Sequence, residues 1–195
     1  MFRNNYMYIL ALFLIMFTFF IYPSTFALET AKEGIIPQQA AAVIMAGMDL
    51  IAFFGGLAFV HLKKHAGMNT KLIAPALFLI GYALLTVKGG WLGAVSGSAF
   101  IGFANGLGIP FIISTASQRA GKNAAATVMP MLSMALYLGQ FLTPIILLVI
   151  TSAFAGCEIT HLSYDVAVVS SIIFFVWSLT IRNDEKAKDS ILQEA

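Results

Sequence analysis

Few residues in this chain could do chemistry, and those few lie in apolar surroundings. Asp49 stands out. It falls roughly eleven positions after Gln38, the start of a long apolar run. At about 1.5 Å per residue, that spacing sets it near the middle of a bilayer-length helix. A charged side chain there costs about 2.5–3.5 kcal/mol on insertion scales, and such residues by default face a cavity on an ion or substrate path. No Lys or Arg lies deep in any apolar run to neutralise it. Two readings follow: a protonation switch coupled to transport, or a neutral Asp bonded to a neighbouring helix. Asn105, Tyr137 and Gln140 are the next polar groups at comparable depth. Tyr137 and Gln140 are three apart, so they share a helix face. Each could bond a substrate, or glue helices together for about 0.6–2 kcal/mol.

Other chemistries fail on spacing or depth. Ser96 and Ser98 flank Gly97 in an apolar run with no histidine at their level, so a serine nucleophile would lack its base. His61 and His65 are four apart, as are Cys157 and His161, yet neither pair has a convincing third ligand. No Walker-type loop is present, which excludes ATP-driven transport by this chain. Cys157 is the single cysteine, so there is no internal disulfide. No basic run suits nucleic acid, and no cofactor or metal site is expected; the pattern is not that of an enzyme.

The elements holding these residues are legible from composition. Apolar residues form 59% of the 195 and charged residues 10%, against about 45–50% and roughly 25% in soluble domains. Lipid is the solvent that fits. The expected fold is all-α and polytopic, with six transmembrane helices at about 6–26, 38–62, 71–87, 90–117, 124–151 and 164–181 and a polar cytoplasmic tail at 183–195. Pro37 suits the start of the second span. Asn69-Thr70 and Asn123 are candidate caps for the third and fifth. Arg3 before an apolar run ending at Thr25-Phe26-Ala27 partly resembles a secretory signal, but the run exceeds the roughly 7–15 residues of a signal core.

Alternating the loops across the membrane collects Arg3, Lys63, Lys64, Lys71, Arg119, Lys122, Arg182, Lys186 and Lys188 on one side and Lys32 and Lys88 on the other, nine against two. The positive-inside rule then places both termini in the cytoplasm of a plasma (inner) membrane. Asp184-Glu185-Lys186 reads as solvated tail. Ala94, Ser98, Gly102 and Gly106 recur every four residues, a stripe that lets another backbone approach closely. Pro110, Pro130 and Pro144 interrupt long spans and are candidate kinks.

The fourth span carries Gly93-x-x-x-Gly97 and Gly102-x-x-x-Gly106-x-Gly108-x-Pro110. It is followed by Gln118-Arg119-Ala120-Gly121, and the fifth span holds Gly139-Gln140-Phe141-Leu142-Thr143-Pro144. This run resembles the tenth and eleventh helices of major facilitator superfamily transporters. Gly55-Gly56-Leu57, Lys63-Lys64 and Gly67 resemble the glycine and basic loop signature of that family, without its acidic residue and with stretched glycine spacing. The resemblance covers about six spans and is to the C-terminal half. It implies a bundle of inverted three-helix repeats whose first, second, fourth and fifth helices line a central cavity. It also implies a small-molecule solute, a proton as coupling ion in one version, and a second six-helix half or a homodimer. The competing expectation is a non-transporting assembly partner or a truncated remnant.

Overall fold

A computed structural model of the chain describes residues 2–88, 90–120, 122–154 and 161–180. Cys157 and the tail at 183–195 lie outside the described residues, as does the side chain of Asn123. The chain is all-α: α1 (Phe2–Glu33), α2 (Gln38–Ala66), α3 (Thr70–Lys88), α4 (Gly90–Ala120), α5 (Lys122–Ala153) and α6 (Leu162–Thr180), with a 3-10 turn at Gly67–Asn69. All six helices are long and apolar enough to cross a bilayer, which makes this a multi-pass membrane protein.

The first helix runs seven residues past its expected end at Phe26. The polar residues beyond it satisfy one another within the helix. Thr30 donates to the carbonyl of Phe26 at 2.9 Å, and Lys32 pairs with Glu29 at 3.1 Å. The chain turns only at Gly34, whose φ of +67° suits glycine and whose N–H reaches the Thr30 carbonyl at 3.2 Å. Gly67 stops α2 in the same way, at φ +53°, with its N–H bonded to the Lys63 carbonyl. Thr70 is the first residue of α3, and its hydroxyl donates back to the Leu62 carbonyl at 3.3 Å. Pro110, Pro130 and Pro144 lie within helices that continue on both sides of them.

Which helix packs on which follows a rule. The main neighbours are α2 on α4, α3 on α4, α1 on α5, α3 on α6, α1 on α4 and α1 on α6. Exchanging α1, α2 and α3 with α4, α5 and α6 maps this set onto itself. By its contacts the bundle divides into two three-helix units with matching neighbours. In the centre, α1 and α4 have 56% and 50% of their spans buried; α2 and α5 are outer helices with only 11% and 22% buried.

Hydroxyl and indole groups pin α1 to α3, α4, α5 and α6. Tyr22 Oη meets Ser98 Oγ of α4 at 2.5 Å, and Thr18 Oγ1 meets Ser170 Oγ of α6 at 2.6 Å. Tyr82 of α3 donates to the Thr18 carbonyl at 2.5 Å. Thr143 of α5 donates to the Phe17 carbonyl at 3.3 Å, and Trp177 of α6 to the Met7 carbonyl at 3.1 Å. Bonds of this kind between membrane helices average about 0.6 kcal/mol each.

Candidate functional site

Asp49 lies on the exposed side of α2. It forms no hydrogen bond and no ion pair with any described residue. Its neighbour Met48 is buried, and a Cβ on Gly102 of α4 would collide with the Met48 carbonyl oxygen. One turn from Gly102, Ser98 bonds Tyr22 of α1. Asn105 is half-buried seven residues beyond Ser98, with Oδ1 buried and without a hydrogen-bond partner. Asp49, Tyr22, Ser98 and Asn105 thus belong to three helices that meet around a glycine at bilayer depth.

Tyr137 and Gln140 belong to the other flank. Their helix, α5, packs on α1, where Gly139 lies against the Phe13 carbonyl and Met16. Tyr137 is 66% exposed and Gln140 half-buried. No hydrogen bond joins any two of Asp49, Asn105, Tyr137 and Gln140.

The small residues act as contact points between backbones. Gly106 faces the Ala52 carbonyl so closely that any side chain would land on it. Gly97 abuts Gly81 and Leu85 of α3, and Gly93 is buried on α4. Ser98, grouped by sequence with this packing stripe, also carries the buried bond to Tyr22. At the end of α2, Lys63 bonds Ser114 at 3.1 Å and Gln118 at 3.4 Å, both neutral, and lies over the Phe59 ring.

Two small cavities lie among the described residues. A cavity bordered by Tyr8, Lys71 and Phe111 and another bordered by Glu33, Leu85 and Tyr164 measure about 10 Å³ each, room for a water at most. A larger groove of about 390 Å³ lies open between α1 and α5, walled by Tyr6, Leu10, Phe13, Met134 and Leu138. It is apolar, as a surface against lipid should be. Among the described residues, no three His, Cys, Asp or Glu side chains are placed to hold a metal ion.

A polar cluster escaped the sequence reading. Glu29 is buried at the end of α1 and meets Lys32, Ser163 and His161. The signal was present as two carboxylates four apart, Glu29 and Glu33, but the expected span stopped at Phe26 and left both in a loop. The chain matches no family model, no curated protein and no solved structure.

Proposed function

We propose that this chain is one half of a secondary transporter, moving a small solute by alternating access with a second six-helix body against α2 and α5. Asp49 carries the reading. It is exposed near the middle of a bilayer-length helix and forms no hydrogen bond or ion pair with a described residue. Bare contact with hydrocarbon would cost it about 2.5–3.5 kcal/mol. A wet cavity between two bodies removes that cost and gives the carboxyl a proton to exchange. The two small cavities among the described residues hold a water at most, which favours a solute space outside this bundle. The exposed helices α2 and α5 are related by the exchange of the two units, as the walls of such a cavity would be.

In this reading Asn105, Tyr137 and Gln140 supply hydrogen bonds to the solute, and Asp49 couples its movement to a proton. The resemblance to major facilitator transporters agrees with the two three-helix units. Lys63, Lys64, Lys71 and Arg119 belong to one end of the bundle, which the positive-inside rule assigns to the cytoplasm of a plasma (inner) membrane. An assembly partner that transports nothing would present the same open face.

Two measurements separate these readings. With Cys157 replaced by Ser, Leu50→Cys on the open face should cross-link two copies if the second body is another copy of this chain. The full chain in liposomes with a trapped pH dye should then show proton flux evoked by members of a panel of small organic cations and metabolites. That flux should be lost in Asp49→Asn. No evoked flux from cross-linked dimers across the panel would sink the transporter reading and leave the assembly partner.

A further inference from the structure

We propose that the solute is an organic cation with an apolar body, drawn to the Asp49 carboxylate and packed against the rings of Phe53 and Tyr137. This solute class rests on the transport reading above, which supplies the cavity outside α2 and α5. The sign of its charge and the nature of its body come from the side chains those two helices expose.

Charge decides the sign. The other charged side chains among the described residues lie near helix ends: Lys63 and Lys64 close α2, Arg119 closes α4, Lys71 opens α3 and Asp165 opens α6. Glu29, Lys32 and Glu33 belong to the last part of α1. At the depth of Asp49 the open face therefore carries one negative charge and, among the described residues, no positive one. A negatively charged solute would meet repulsion there. A neutral one would leave the carboxylate without a counter-charge in a medium of low dielectric. A cation completes the pair, and complementary charge of this kind selects partners.

Rings decide the body. Phe53 follows Asp49 by four residues on α2, so the two share a helix face. Phe53 is 62% exposed. Phe54 packs edge to face against it, with centroids 5.7 Å apart and planes at 70°. The counterpart helix repeats the ring. Phe53 stands two residues before Gly55, which rests on the Phe103 carbonyl; Tyr137 stands two before Gly139, which rests on the Phe13 carbonyl. Tyr137 is 66% exposed, and Phe141, one turn on, is 65% exposed. The exchange that maps α2 onto α5 thus carries one exposed ring onto another. Lipid asks only for apolar surface, which Leu or Val would supply as well. A ring face does more: it attracts a cation through its quadrupole and packs against the apolar groups that cation carries.

The test is equilibrium dialysis of the full chain in detergent against labelled benzyltrimethylammonium. Two competitors of similar shape are neopentylbenzene, in which carbon replaces the charged nitrogen, and benzylsulfonate, in which the charge is reversed. The cation should bind saturably, and neither competitor should displace it as the unlabelled cation does. Binding should weaken at least about tenfold in Asp49→Asn and about threefold in Phe53→Leu and in Tyr137→Leu. It should persist in Asp49→Glu and Phe53→Trp. No saturable binding, full binding in Asp49→Asn, or equal displacement by either competitor overturns the proposal. The displacement series uses the wild type, so it decides even if Asp49→Asn does not fold. Proton flux in liposomes separates the two failures. Flux evoked by benzylsulfonate and not by the cation overturns the cation and keeps the transporter. Binding of the cation that depends on Asp49, with no evoked flux, keeps the cation site and sinks the transporter.

Discussion

Two seams of the bundle are built alike and used differently. Where α2 meets α4, Gly55 rests on the carbonyl of Phe103; where α5 meets α1, Gly139 rests on the carbonyl of Phe13. A Cβ at either glycine would stand 2.6 Å or 2.8 Å from that oxygen. The two contacts are counterparts under the exchange of the two units. Around them the seams diverge. The α2–α4 seam adds Gly102 against Met48 and Gly106 against Ala52, backbone against backbone for two further turns. The α1–α5 seam replaces these with the Met16 side chain and a hydroxyl, Thr143, bonded to the Phe17 carbonyl. Six positions before its glycine, α2 carries Asp49; six before its own, α5 carries Ser133. One seam is close, rigid and charged, the other looser and neutral. Symmetric architecture thus leaves the two faces free to take different chemical roles.

The most damaging way to probe the difference is to add a methyl group to each seam. Gly106→Ala should cost about 3 kcal/mol, because the added Cβ would land on the Ala52 carbonyl, whereas Gly139→Ala should cost about 1 kcal/mol, because a shift of a few tenths of an ångström clears the Phe13 carbonyl. Folded yield by size exclusion and the melting midpoint measure both. Equal losses would show the seams to be mechanically the same. Next in size is the charge. Asp49→Asn should lower solute-evoked proton flux at least tenfold, about 1.4 kcal/mol. Adding Ser133→Asp to that variant should not restore it. Restoration would make the two seams interchangeable and end the distinction. Smallest is the bond between α1 and α4. Tyr22→Phe should cost about 0.6 kcal/mol, since Ser98 keeps its own bond to the Ala94 carbonyl. A loss of several kcal/mol would mean that the phenol supports the Asp49 region beyond a single pair.

Much of the fold was readable because lipid makes demands that sequence states directly. Each crossing needs a long apolar run, and the polar breaks at Gly34, Gly67 and Gly90 mark its limits. Local pattern also exposed the glycine stripe on α4. It did not reveal which helix fills that stripe, because apolar runs are alike on every face; only coordinates bring Met48 and Ala52 to Gly102 and Gly106. Asp49 was legible as an anomaly of depth, but its lack of a partner is a tertiary fact. Asn105 and the pair Tyr137 and Gln140 read alike in sequence, though α4 and α5 place them on different flanks. The cluster at Glu29 was hidden for another reason. Charged residues after Phe26 signal the end of a span, and nothing local tells that Lys32, Ser163 and His161 will gather around that carboxylate and let the helix continue.

The polar contacts of α1 have a consequence for how the protein is made. Among these six helices α1 precedes the others in synthesis, yet Ser98 for Tyr22, Ser170 for Thr18, Ser163 and His161 for Glu29, and Trp177 for the Met7 carbonyl all arrive later. Until α4 and α6 enter the bilayer, α1 waits with its hydroxyls and a carboxyl unsated. Its residence beside the insertion machinery should be long, and the arrival of α6 is what releases it.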